Sequence, residues 1–157
     1  MTHRKTKLLE DLALLVRGDL EAAERAQRVT VEGATHEEAR PENDKDTRAL
    51  EQSYLARGQA QRVEQLRIEL GGVLSLKPRA FAEGAPIALG ALVSVEEDGE
   101  NRTLFLAPAR GGTELGTVQV VTPTSPLGRA LIGKCAGDSI ELRLPQKTRE
   151  ISIIEVD

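Results

Sequence analysis

Between Glu37 and Asp46 the chain gathers five carboxylates, Glu37, Glu38, Glu42, Asp44 and Asp46, against two bases, Arg40 and Lys45. Hard Mg²⁺ takes oxygen ligands and is commonly held by one or two carboxylates, with water and phosphate filling the remaining positions. An acidic stretch of this kind can complete a metal centre. It can equally be a solvated loop, with Asp44 and Asp46 in the first turn of a following helix, where acids are favoured. His36 stands beside the acids and could ligate a metal or shuttle a proton, but it has no patterned partner, and His3 is remote. The single cysteine, Cys135, excludes an internal disulfide and a cysteine-based zinc cluster. Arg17, Arg25 and Arg28 could face nucleic acid, although solvated charges on a helix account for them equally well.

Composition narrows these options. The 157 residues suffice for one ordinary domain or two small ones. A formal charge of -4 offers no broad basic field, so direct duplex binding is not expected. Tyr54, Phe81 and Phe105 are all the aromatic residues, too few for a pocket that stacks bases or grips apolar ligands. No apolar run approaches the length of a membrane span. Glu10 and Asp11 interrupt the apolar stretch after the basic start, which argues against a signal peptide and for a cytoplasmic protein. These features point to an interaction protein.

The elements that would carry the acidic stretch have helical periodicity. From Lys5 to about Val29, Leu8, Leu12, Leu15, Ala22, Ala26 and Val29 follow alternating steps of four and three, with Asp19 interrupting. Leu9, Val16, Leu20 and Ala23 widen the stripe on one side. A second run, Asp44 to Leu70, repeats the pattern through Ala49, Ala56, Ala60, Val63 and Leu70, with Leu50, Tyr54 and Leu66 at its flanks. Asn43 is its expected N-cap, and Gly71-Gly72 its expected stop. Two such helices joined by a short segment predict an antiparallel hairpin, each run roughly 40 Å long.

After Gly72 the texture becomes β. Ile87 to Val95, Thr103 to Leu106, Thr117 to Val121, Ser139 to Leu144 and Glu150 to Val156 are rich in β-branched residues. Asp98-Gly99, Gly111-Gly112, Gly137-Asp138 and Pro145 separate them as turns. One short helix fits at Pro126 to Ile132, with Ser125 as cap, Pro126 in the first position and Gly133 as stop. The reading is α+β: a helical hairpin over residues 1–72 with an acidic tip near 34–46, then a small antiparallel sheet domain with one short helix over 73–157.

The stretch Thr124-Ser125-Pro126-Leu127-Gly128-Arg129-Ala130-Leu131-Ile132-Gly133-Lys134, continuing through Gly137-Asp138, resembles the "SPLARALIGKKEGD" string of the bacterial GreA/GreB transcript-cleavage factors. In the hairpin, Glu42-Asn43 resembles the family's E-N pair at the tip, Glu51-Gln52 its E-Q pair, and Gly58 its later glycine. The family's tip aspartate position holds Ala39 instead, and Pro41 gives this loop its own shape.

The resemblance implies an FKBP-like C-terminal domain docking at the rim of the RNA polymerase secondary channel, with Ser125, Pro126, Arg129 and Gly133 carried over as the polymerase-binding residues. It further implies a monomeric accessory factor that is not itself an enzyme and has no cofactor of its own. Its hairpin would reach the polymerase active centre, touching nascent RNA only indirectly. There Glu42, with Glu38 as second acid, would act in trans on polymerase Mg²⁺ to stimulate transcript cleavage in backtracked complexes. The Ala39 departure leaves open a factor that occupies the channel and inhibits or competes. A proline isomerase is the enzymatic alternative for an FKBP-like domain, but Phe81 and Phe105 cannot furnish its aromatic pocket. A four-cysteine zinc regulator of the same channel is excluded by the lone Cys135.

Overall fold

The computed structural model describes residues 2–35 and 47–157. It consists of two long helices, α1 (Thr2–Thr35) and α2 (Thr47–Ser75), then six strands and a short helix. The strands are β1 (Leu92–Glu97), β2 (Glu100–Leu106), β3 (Glu114–Leu115), β4 (Val118–Val121), β5 (Ser139–Arg143) and β6 (Thr148–Val156), with α3 (Pro126–Leu131) between β4 and β5. The chain divides into two compact units. One comprises Met1–Ala13 with Gly72–Asp157, and the other comprises Leu14–Gly71. The first helix thus contributes its opening turns to the sheet unit and its remainder to the helical unit. Among the described residues no helix is long and apolar enough to cross a membrane.

In the helical unit, α1 and α2 run back along each other, and Glu24 of α1 meets Arg67 of α2 at 3.4 Å. Val16, Val63 and Leu66 are buried, worth about 1.5–3 kcal/mol each on transfer from water. The first two members of the expected seam on α1, Leu8 and Leu12, are buried, but within the helical unit the buried face differs from it. Leu15, Ala22, Ala26 and Val29 are exposed, whereas Val16 is buried and Leu20 and Ala23 are half-buried. The two stripes lie side by side on one helix, and the position of the partner helix selects between them. The second helix also runs through Gly71-Gly72 to Ser75 rather than stopping there. Val73, only 1% exposed, packs inward and keeps that last turn helical.

The sheet has the order β3-β4-β2-β1-β6-β5. Its pairings are antiparallel except β2 with β4, which run parallel from Thr103 opposite Val118 to Leu106 opposite Val121. The short β3, absent from the sequence reading, lies antiparallel to β4, with Glu114 opposite Gln119. Asp98 and Gly99 both adopt positive φ (53° and 79°), which closes the β1–β2 hairpin in the sense that matches strand twist. Ile87 is buried but lies ahead of β1, its amide donating to Lys134 O at 2.8 Å. One core joins Val93 and Val95 of β1, Leu104 and Leu106 of β2, and Leu131 of α3 with Ile151 and Ile153 of β6. Leu92 and Phe105, which face each other across β1 and β2 with the opposite orientation, are also buried, so both faces of these central strands are covered.

The opening turns of α1 are fixed to this unit by a buried cation. Lys5 is fully buried, donates to Arg79 O at 2.7 Å and lies 3.7 Å from the Asp157 carboxylate. Its ammonium stands 4.9 Å from the centre of the Phe81 ring, and the Arg79 guanidinium lies 4.5 Å from the same centre. Asp157 exchanges both backbone hydrogen bonds with Leu92, so the tie reaches the sheet itself. Burial lowers the Lys5 pKa, against the opposing pull of Asp157.

Removing only one partner leaves the other charge uncompensated. Lys5→Met is therefore expected to cost roughly 2–4 kcal/mol in urea unfolding, while Lys5→Met combined with Asp157→Asn recovers much of the loss.

Candidate functional site

The expected docking residues lie at the turn from β4 into α3. After Val121 the chain passes through Thr122-Pro123-Thr124 to Ser125, which caps α3 with extended backbone (φ -69°, ψ 158°). The Ser125 hydroxyl does two jobs: it donates to Thr122 O at 2.8 Å and accepts from Gly128 N at 3.0 Å. Pro126 occupies the first turn, where its missing N–H costs nothing. Gly128 presses against the Thr122 backbone so closely that a Cβ built there would overlap Thr122 O. Leu131 then points fully into the core. Gly133, at φ 83°, turns the chain out of the helix and donates to Ile87 O at 2.9 Å. Asp138 closes the following turn by accepting from Cys135 N at 2.8 Å.

These contacts separate the matched string into two sets. Ser125, Gly128, Leu131 and Asp138 build the local structure. Pro126, Arg129, Gly133 and Lys134 are exposed, and Ile132 is 38% exposed. Of the four expected docking residues, Ser125 is half-buried and acts as the cap, Gly133 supplies a turn that favours glycine, and Pro126 and Arg129 face solvent. Arg129 is also the basic residue of the last turn of α3, where a cation complements the helix dipole.

An open trough runs beside the start of α3. One section, of about 430 Å³, is lined by Thr122, Ser125, Pro126, Leu127, Leu142 and Leu144. The adjoining section, of about 420 Å³, shares Leu127 and Leu144 and continues to Glu97, Arg102, Lys147 and Arg149. Sequence reasoning missed this charged end, because its members come from β1, β2, β6 and the turn before β6 and meet only through the sheet. Arg149 donates through Nη2 to Glu97 Oε2 at 2.7 Å and through Nε to Oε1, and Arg102 adds a contact at 3.3 Å. The Arg149 hydrogen bonds hold the buried Glu97 carboxyl below the usual glutamate range, with Arg102 reinforcing them. Neither aromatic residue of this unit lines these sections: Phe105 is fully buried, and Phe81 lies between Lys5 and Arg79. The trough combines an apolar wall with a paired-charge rim, which suits contact with a protein surface.

Glu38 and Glu42, expected to act on the metal, lie outside the described residues. So do His36, Glu37, Ala39, Pro41, Asn43, Asp44 and Asp46.

Residues 84–157 match the family described as Transcription elongation factor, GreA/GreB, C-term. A transcription elongation factor GreA of Xanthomonas campestris pv. campestris is 34% identical over 98 residues, covering 60% of this chain and 60% of that protein. A GreA of Magnetococcus marinus is 37% identical over 73 residues, 45% of each chain. The chain therefore spans well under two thirds of the length of these curated relatives. Among solved structures, a GreA factor homolog 1 (Gfh1) protein of Thermus thermophilus aligns with 99% of this chain and 94% of its own, at 21% identity and a TM-score of 0.41.

Two outcomes follow from the geometry. Gly128→Ala is expected to lose about 1–3 kcal/mol of stability through overpacking on Thr122, against the ~1 kcal/mol by which alanine is favoured over glycine in a helix. Glu97→Gln is expected to lose about 1–3 kcal/mol near neutral pH. Because the folded Glu97 pKa is depressed, its stabilisation is complete above the ordinary value of 4.5 and fades as pH falls through the lower folded value. The stability gap between wild type and Glu97→Gln, measured by denaturation at several pH values, should accordingly shrink below that pH.

Proposed function

We propose that this chain, whose residues 84–157 match the GreA/GreB C-terminal family, is a transcription elongation factor that binds RNA polymerase at the secondary channel and stimulates cleavage of the nascent transcript in backtracked complexes. The observation that carries this reading is the matched string at α3, whose inward half is committed to structure while Pro126 and Arg129 face outward. In this proposal the FKBP-like sheet unit docks on the channel rim through that outward face and the neighbouring trough. The helical unit enters the channel, and the acids between α1 and α2 reach the polymerase centre.

A second Mg²⁺ in that centre would supply Lewis-acid stabilisation and an activated water for phosphodiester hydrolysis. Glu42 and Glu38 would contribute carboxylate oxygens in trans, so the factor acts as an accessory with no cofactor of its own. One copy acts per polymerase, and nascent RNA is contacted only indirectly.

A second reading rests on Ala39, which stands where the family has a tip aspartate. With one acid fewer in that position, the chain would occupy the channel and inhibit or compete without stimulating cleavage.

The test mixes purified protein with a stalled, backtracked elongation complex and Mg²⁺ and follows RNA shortening. Stimulation that falls at least about tenfold in Glu42→Ala, with a smaller loss in Glu38→Ala, is the expected result. Shortening slower than with polymerase alone would establish the inhibitory reading. Stimulation untouched by Glu42→Ala would remove the tip carboxylate from the mechanism.

A further inference from the structure

We propose that the trough beside α3 takes a polymerase segment that carries an apolar side chain beside a carboxylate, and that Arg149 is the residue that selects for the acid. The inference rests on the docking proposed above and names the chemistry of what is docked. Arg149 stands where the two sections of the trough meet, since it lines both, together with Gln119, Leu127 and Leu144. On one side of this junction the wall is apolar, with Pro126 and Leu142. On the other stand Arg102 and Lys147. An occupant lying across the junction therefore meets aliphatic surface and then a guanidinium.

That guanidinium is held in a fixed orientation. Its Nε and Nη2 donate to Glu97, whose side chain is only 9% exposed. The pairing engages two of the five N–H groups of an arginine, and the Arg149 side chain is still 20% exposed, so donors remain for a ligand. Covering them with a purely apolar segment would leave buried donors unsatisfied, and covering them with a cation would set like charges together. A carboxylate avoids both costs, because it accepts charge-assisted hydrogen bonds from a planar donor already in place. Arg102, 44% exposed and joined to Glu97 by a single contact at 3.3 Å, adds positive charge on the same side, as does the exposed Lys147 in the turn before β6. The acids of this section are placed differently. Glu97 is occupied by the two arginines, while Asp98 and Glu100 are exposed at the β1–β2 turn, where a cationic partner would stay hydrated and gain little. Charge complementarity thus selects an acid as the polar half of the occupant.

The experiment is equilibrium association of the full chain with its cognate polymerase core, read beside urea unfolding of each free variant. Arg149→Met leaves Glu97 buried without its main partner and should lose both stability and affinity. The double variant E97M/R149M replaces the pair with apolar side chains of similar length and should regain the wild-type urea midpoint. Its affinity should nevertheless stay at least about tenfold below wild type, because the partner's acid has lost the group that reads it. The salt dependence of binding should flatten in the double variant as well. A purely structural role for the pair predicts affinity restored along with stability, and that result would overturn the proposal. Should the double variant fall short of wild-type stability, Lys147→Glu decides, since it alters only an exposed side chain: a loss of about tenfold upholds an acid-reading end, and unchanged binding overturns it. Wild type that does not associate with the core removes the docking itself, whereas wild type that binds no better than E97M/R149M removes only the selection of an acid.

Discussion

The hydroxyl of Ser125, held between Thr122 O and Gly128 N, is the contact on which the presentation of α3 depends. It satisfies an amide that a helix start would otherwise leave open, and it sets α3 directly against the Thr122 backbone. That approach is possible only because residue 128 has no Cβ. With the distance fixed, Leu131 must enter the core, and Arg129, two residues earlier, must face out. Gly133 and Ile87 then secure the exit of the helix through a pair of backbone hydrogen bonds between Ile87 and residues 133–134. Much of the matched string is thus spent on geometry, and only a few of its side chains, Pro126 and Arg129 among them, are turned outward.

Two buried charges in the same unit illustrate opposite balances. Lys5 has one carboxylate at 3.7 Å, a carbonyl and an aromatic face, and burial outweighs these partners to lower its pKa. Glu97 meets two guanidinium groups, one of them bidentate, and there the attraction outweighs burial and the carboxyl pKa falls. The first arrangement places an element, whereas the second braces the end of the trough beside α3.

The capped helix at Ser125, the hairpin turn at Asp98-Gly99 and five of the six strands were legible because each is written in local chemistry: a capping hydroxyl, positive-φ residues, and β-branched runs between turns. Ile87 misled, since it is as apolar as a strand residue but is buried in the segment leading to β1. The parallel pairing of β2 with β4 has no local signature, because it depends on how β3 and its loops return the chain. On α1, Leu15 and Val16 are neighbours in adjacent stripes of similar hydrophobicity, and only the placement of α2 decides that Val16 is the buried one. The burial of Lys5 has no local signature, since Arg79, Phe81 and Asp157 join it from more than 70 positions away. The trio at Glu97 was hidden for the same reason. In the candidate site, Pro126 and Arg129, named with Ser125 and Gly133 from the family string, are exposed, whereas the structural duty of Gly128 emerged only once Thr122 stood beside it.

We propose that the outward face of α3 binds a polymerase surface. Its most direct measurement is equilibrium association of the full chain with its cognate polymerase core, compared with a variant carrying Arg129→Glu. Arg129 is exposed and outside the core, so the substitution leaves the fold intact. The account predicts saturable association by wild type and a loss of at least about tenfold in affinity for the variant, the scale of a charge reversed within an interface. Wild type that fails to associate with the core, or a variant that binds as tightly as wild type, would contradict it.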